Sequence, residues 1–264
     1  MDRLNKLCDI ADFPVLARHM AAVHDPHVPG KEQRKQWEVA MALATFEAMS
    51  PPGPLRALGV GAGRERTTFW LTRCCEQVHA TDLYATSTEW SHTAPRLMLI
   101  APAAAFRDFS WNPRRLIVQH MDGRDLRYED ETFDFVYSSS SIEHFGETRD
   151  VLTAMREIGR VLKPGGVASL STEYKIAGEG RGFHNVLLFD EDDLRAMVEA
   201  SGLQLAGRLD LTPGSSPVVS FARAIEDIEK TGAIAEFPHI NLEFDGMVWT
   251  SVHLALKKCR GAAG

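Results

Sequence analysis

Short apolar runs recur along the middle of the chain, separated by longer stretches whose apolar positions fall three and four residues apart. The runs from Leu55 to Val60, Val78 to Thr81, Leu116 to Gln119, Phe133 to Ser138 and Gly166 to Ser171 predict buried strands. Their alternation with helical or loop segments predicts an α/β fold: a parallel sheet with right-handed crossovers and helices on both faces. Upstream, KEQRKQWEVAMALATFEAMS (Lys31 to Ser50) places Trp37, Ala40, Met41, Ala44 and Ala48 on one helical face, and Pro51-Pro52-Gly53-Pro54 ends it. Downstream, the pattern predicts an acid-capped helix from Asp190 to Ala200, a strand from Leu203 to Leu211, a helix from Ala224 to Lys230 and a last strand from Thr250 to Leu256. The expected organisation is a helical N-terminal extension over residues 1–54 and one domain over 55–264. Insertions are expected at about 87–112 and 212–248, long connections of the kind that form lids.

The first predicted strand runs into Gly59-Val60-Gly61-Ala62-Gly63-Arg64-Glu65 and then into a helical pattern. Glycines in such a strand-loop-helix let the backbone close on a nucleotide. A dinucleotide fingerprint has G-x-G-x-x-G spacing, but Arg64 or Arg66 occupies the place of the third glycine, depending on which glycine is counted first. The second strand ends at Asp82, where a carboxylate can accept both hydroxyls of a ribose or simply cap a turn. The third ends in Met121-Asp122-Gly123, where Asp122 can accept an adenine amino group or form the turn itself.

Composition narrows the class of chemistry. The chain has 264 residues, with 29 Lys and Arg against 36 Asp and Glu, a net charge of -7 that argues against a phosphate-binding surface and so against nucleic acid. Cys8, Cys74, Cys75 and Cys259 form no CxxC pair, and no metal-ligand pattern dominates, so reduced thiols, no metal and a cytoplasmic location are expected. No apolar run is long enough to cross a bilayer.

The Gly59-Gly61-Gly63 loop, Asp82, Asp122, the run FDFVYSSSSIEHF and Leu162-Lys163-Pro164-Gly165-Gly166, in that order, resemble the motifs of class I S-adenosylmethionine (SAM)-dependent methyltransferases, especially the group acting on small molecules. The resemblance covers about Leu55 to Thr172. It implies a Rossmann-like three-layer sandwich, a seven-stranded sheet with the last strand antiparallel, and SAM across the carboxyl ends of the strands. It assigns Gly59, Gly61 and Gly63 to the methionine and ribose side, Asp82 to the ribose, Asp122 and Gly123 to the adenine, and Ser138 and Ser139 to the methionine end. The family often has an acid two residues before the first glycine, helping to hold the ammonium of the methionine; here that residue is Ala57, and Glu65 is the candidate replacement.

A methyl on a sulfonium is already activated, so the protein must align an acceptor and, for a hydroxyl, accept its proton. His144, just past the fourth strand, and His184, in a glycine-rich loop after the fifth, are the candidate bases, each with a structural alternative. Glu143, Glu173, Lys175 and His239 rank below them. Trp37, Trp90, Trp111, Phe237 and Phe244 lie in segments able to close over the site, although packing explains most aromatics. The leading expectation is O-methylation of a small polar metabolite or sugar-containing precursor. An RNA or protein methyltransferase, a silent SAM-binding module and a nicotinamide-dependent dehydrogenase stay open as alternatives.

Overall fold

The computed structural model describes residues 4–86 and 91–260; Trp90 and the start of the expected insertion at 87–112 lie outside the described residues. Seven strands carry the architecture: β1 (Arg56–Val60), β2 (Gln77–Asp82), β3 (Leu116–His120), β4 (Phe133–Ser139), β5 (Leu162–Ala177), β6 (Asn241–Phe244) and β7 (Met247–Lys257). They lie in the order β3-β2-β1-β4-β5-β7-β6, parallel except for β7, which runs against both neighbours. The order reverses between β1 and β4, which opens a crevice at their carboxyl ends.

The sheet has ten strands among the described residues rather than the seven expected, because Val218–Ser220 extends it beyond β6 and two two-residue strands pair with β7. The reason is the length of β7. Its inner edge is paired by β5 from Val248 to Lys257, while its outer edge is covered in turn by β6, by Lys6–Leu7 and by Gln204–Leu205. A long bare edge is thereby avoided.

The strand expected from Leu203 to Leu211 is therefore corrected to Gln204–Leu205. Gly207, at φ +115°, breaks the extended run, and Asp210 turns to bond backbone groups of Asn5 and Leu7. The sixth principal strand of the sheet is β6, inside the segment read as an insertion.

Two apolar clusters make the three layers. Leu58, Val60 and Val136 face one way, against Met155 and Ile158 of α4 (Thr148–Val161) and Leu194 and Met197 of α5 (Glu191–Ser201). Ala57, Phe135 and Tyr137 alternate to the other face, against Leu43 and Phe46 of α2 (Arg34–Met49) and Phe69 and Trp70 of α3 (Arg66–Cys74). Each large side chain so enclosed contributes about 1.5–3 kcal/mol.

A helix that the pattern did not predict, α1 (Asp12–Ala22), packs on α2, where Trp37 Nε1 donates to Asp12 Oδ2 at 2.9 Å. The buried side of α2 is wider than one stripe. Ala48 is exposed, while Arg34 and Glu38 are buried with Trp37 and Met41.

At the far end of β5 and β7, Phe183, Phe244, Trp249 and Phe221 of α6 (Phe221–Thr231) form a cluster with ring centroids 5.2–6.3 Å apart. Phe244 is thus a packing residue of the sheet edge. Trp37 is fully buried, and Trp111 packs edge-on against Phe69.

Candidate active site

A cavity of about 630 Å³ lies at the carboxyl ends of β1, β2 and β4, where the crossover from β1 to β4 opens the crevice. Gly61 and Gly63 line its floor, at φ +63° and +46°. Packing forbids side chains there as firmly as backbone conformation does. A methyl at Gly61 would lie 2.5 Å from Ser141 Cβ, and one at Gly63 would lie 2.7 Å from the Thr93 carbonyl oxygen. Gly59 is one step behind the lining, where a methyl would meet the Tyr137 hydroxyl at 2.7 Å.

The loop is laced to its surroundings. Ser141 Oγ donates to the Gly61 carbonyl at 2.7 Å, Tyr84 donates to the Gly63 carbonyl at 2.7 Å, and Arg64 N–H donates to the Thr93 carbonyl at 2.8 Å. That last bond brings His92, Thr93 and Ala94, from the long connection after β2, over the cavity.

Asp82 reaches the cavity from the end of β2. One oxygen accepts Gly63 N–H at 2.8 Å and the other Leu83 N–H at 2.6 Å. Burial raises its carboxyl above the usual range, and the two N–H donors oppose that rise.

Asp122 and Gly123 also line the cavity. The Arg124 guanidinium grips Asp122 at 2.6–3.1 Å and holds its carboxyl below the usual range. Gly123 gives room to the Phe145 ring, which a methyl would approach to 2.6 Å.

From β4, Ser139, Ser140 and Ser141 line the space, whereas Ser138 is wholly buried and its hydroxyl has no hydrogen-bond partner.

Glu65 also lines the cavity. It is the N-cap residue of α3, yet its side chain makes no capping bond, and its Oε2 is buried without a hydrogen-bond partner among the described residues. Burial, then the nearby charge of Glu38, pushes its carboxyl up to about 8, against Lys35 and the Ser139 hydroxyl, which act to lower it. Ala57, the residue in the place of the family acid, is fully enclosed in the apolar cluster beneath the sheet.

Beyond the serines lies a buried charged network that sequence reading largely missed. Arg34 Nη1 donates to both oxygens of Glu173 at 2.6 and 2.7 Å and to Glu38 at 3.3 Å. Ser251 joins Arg34 and Glu38, and Ser140 Oγ donates to Glu38 at 2.8 Å. Half-exposed Lys35 reaches Glu173 at 3.4 Å and lines the cavity. These residues come from α2, the end of β4, β5 and β7 and share no sequence motif. His239 is buried behind the same network, and burial, then Arg34, lowers its imidazole to about 4.

His144 borders both the main cavity and a second space of about 360 Å³ between the start of α4 and the hairpin of Gly182–Phe183 with Val186–Leu187. Its Nδ1 donates to the Asn185 carbonyl at 2.7 Å, so in the neutral ring Nε2 is the proton acceptor. Nε2 lies 3.9 Å from Glu143 Oε1, while the other oxygen of Glu143 accepts the Thr172 hydroxyl at 2.8 Å. His184 is exposed at the tip of that hairpin, near the Asn185 side chain at 3.0 Å, and lines neither space.

A family model described as a methyltransferase domain matches residues 58–170. No curated protein matches the sequence. Among solved structures, the chain is similar to the (4+2)-cyclase SpnF (17% identity, TM-score 0.55, covering 96% of this chain and 94% of that one). It is also similar to a geranyl diphosphate methyltransferase in complex with GPP and sinefungin (16% identity, TM-score 0.54, 93% of each chain). A third is an S-adenosylmethionine-dependent methyltransferase from Clostridium acetobutylicum (11% identity, TM-score 0.51, 86% of this chain and 92% of that one).

Proposed function

We propose that this chain, a class I SAM-dependent methyltransferase, transfers the methyl group to a hydroxyl of a small polar metabolite or sugar-containing precursor. The residues present suit the cofactor. A glycine floor that tolerates no Cβ, carboxylates at the ends of β2 and β3 and an acid with one unpartnered oxygen beside the loop match a nucleoside joined to an amino acid. In this reading Gly61 and Gly63 admit the backbone to close approach, with Gly59 packed behind them. Asp82 takes the ribose hydroxyls, Asp122 and Gly123 border the adenine, and Ser139 faces the methionine end, with Ser138 behind it. Bound SAM supplies a methyl activated on a sulfonium; the remaining work is done by side chains.

The observation that carries the acceptor reading is His144, which stands where the two spaces meet. With Nδ1 committed to the Asn185 carbonyl, Nε2 can take the proton of an acceptor hydroxyl. Glu143 Oε1 lies 3.9 Å from that nitrogen. Glu147, Arg149 and Asp150 make the second space polar, as a polar acceptor requires. His184, at the solvent end of the hairpin, would meet the acceptor on entry.

In the same reading the extension gives Lys35 and Val39 to the wall of this site, and the long connection after β2 gives His92, Thr93 and Ala94. A cytoplasmic location belongs to the proposal as well; among the described residues no helix is long and apolar enough to cross a membrane.

Transfer of labelled methyl from SAM to a panel of hydroxylated, amino and thiol acceptors tests the function. The expected product is a methyl ether, with His144→Gln lowering kcat about 10²–10⁴-fold. Label recovered on nitrogen, sulfur or carbon overturns the oxygen assignment, and full kcat in His144→Gln overturns the base.

A further inference from the structure

Glu65 faces the cavity with one carboxylate oxygen buried and unpartnered, while the family's usual anchoring acid is replaced by Ala57, sealed in an apolar cluster. Position at the start of α3 does not explain Glu65, since it makes no capping hydrogen bond. Lys35 lines the same cavity, half-exposed, and its charge is felt at Glu65. Glu65, Lys35 and Ser139 thus line one cavity, and the charge of Lys35 and the Ser139 hydroxyl both act on Glu65.

We propose that Glu65 binds the α-ammonium and Lys35 the α-carboxylate at the amino-acid end of the cofactor, a zwitterion clamp that takes over the role of the missing acid. The inference rests on the cofactor reading above.

A consequence follows for protons. The groups around Glu65 are Glu38 and Lys35 from α2, Asp82 from β2, Ser139 and Tyr137 from β4, and Tyr84 after β2. Burial and the acids among these keep the Glu65 carboxyl of the ligand-free protein protonated at pH 7, with its midpoint at about 8. An ammonium arriving against it favours the carboxylate. The carboxyl O–H bond breaks, the electron pair stays on Glu65, and the proton goes to buffer. Binding should thus release close to one proton at pH 7 and tighten as pH rises from 6 to 8.

Titration calorimetry at pH 7, in two buffers of different protonation enthalpy, tests this with three ligands. S-adenosylhomocysteine carries the whole amino-acid end, its deaminated analogue lacks only the ammonium, and 5′-methylthioadenosine lacks the end altogether. Wild-type protein should release a proton with the first ligand and none with the other two. Glu65→Gln should bind S-adenosylhomocysteine about 10–100-fold more weakly with no proton release, and methylthioadenosine as wild type does.

Proton release by wild-type protein with the deaminated analogue overturns the inference without recourse to a variant. Unchanged affinity in Glu65→Gln, or equal losses for S-adenosylhomocysteine and methylthioadenosine, also overturns it. Wild-type protein that binds none of the three overturns the cofactor reading itself.

Discussion

Glu173 and Glu65 both have carboxylates withdrawn from water, and they differ in what meets them. Glu173 is embraced by Arg34 through two bonds of 2.6 and 2.7 Å, with Lys35 at 3.4 Å. Glu65 has an oxygen with no hydrogen-bond partner. Burial pushes both carboxyls up, but Arg34 and Lys35 overturn that push at Glu173 and hold it well below the usual range, whereas Glu65 is left high. A buried acid with its cation in place ties α2 to β5 and β7. A buried acid with an unpartnered oxygen, in a cavity wall, suits the cationic group of a ligand.

The most severe way to break this contrast is to remove the cation from the first site. Arg34→Met leaves Glu173 and Glu38 buried with only half-exposed Lys35 at 3.4 Å, and stability should fall by about 3–5 kcal/mol, read as a lower denaturation midpoint in urea. A loss under about 1 kcal/mol would mean that Lys35 alone can hold the network.

Restoring the family's acid should cost nearly as much. Ala57 is fully enclosed beside Leu43, Phe46 and Phe135, so Ala57→Asp should lose at least about 2 kcal/mol. Nor should it rescue S-adenosylhomocysteine binding in Glu65→Gln. Rescue would place the ammonium within reach of β1 and sink the distinction between the two positions.

The two acids should also bend the pH dependence of the ligand-free protein in opposite directions. At Glu173 the folded pKa is depressed, so its contribution is present above the ordinary value of 4.5 and is lost as pH falls through the depressed value. At Glu65 the folded pKa is raised, so stability is intact below 4.5 and is lost as pH rises through about 8. Urea unfolding across pH 3–9 should show Glu173→Gln flattening the acid limb and Glu65→Gln the alkaline one. The same limb flattened by both variants would refute the contrast.

The contrast also explains what was legible in the sequence. Strands β1 to β5 and the glycine loop were readable, because apolar period and backbone requirement are local signals. Asp82, Asp122 and His144 reach the cavity from strand ends, where topology gathers side chains whatever lies between them in sequence. Lys35 and Thr93 reach it from α2 and from a long connection, and no spacing links either to Gly61. The strand expected from Leu203 to Leu211 was misread for a related reason. Its alternation is real, and Leu209 and Leu211 do pack on the core, but Gly207 and the pull of Asn5 and Leu7 on Asp210 end the extended run. Pattern reports which side chains seek burial, and long-range backbone partners decide the conformation that buries them.

Lys35 belongs to both sites and gives the smallest but most discriminating effect. Its Nζ lies 3.4–3.5 Å from Glu38 and Glu173, contacts already dominated by Arg34, and its side chain is half-exposed. A screened, redundant ion pair of this kind contributes less than about 1 kcal/mol, so Lys35→Met should barely move the unfolding midpoint. If Lys35 also meets a ligand carboxylate, the same substitution should weaken S-adenosylhomocysteine several-fold while leaving methylthioadenosine and the proton released from Glu65 unaltered. A large stability loss with unchanged ligand affinity would instead assign Lys35 to the Glu173 network alone, and the carboxylate half of the clamp would be withdrawn.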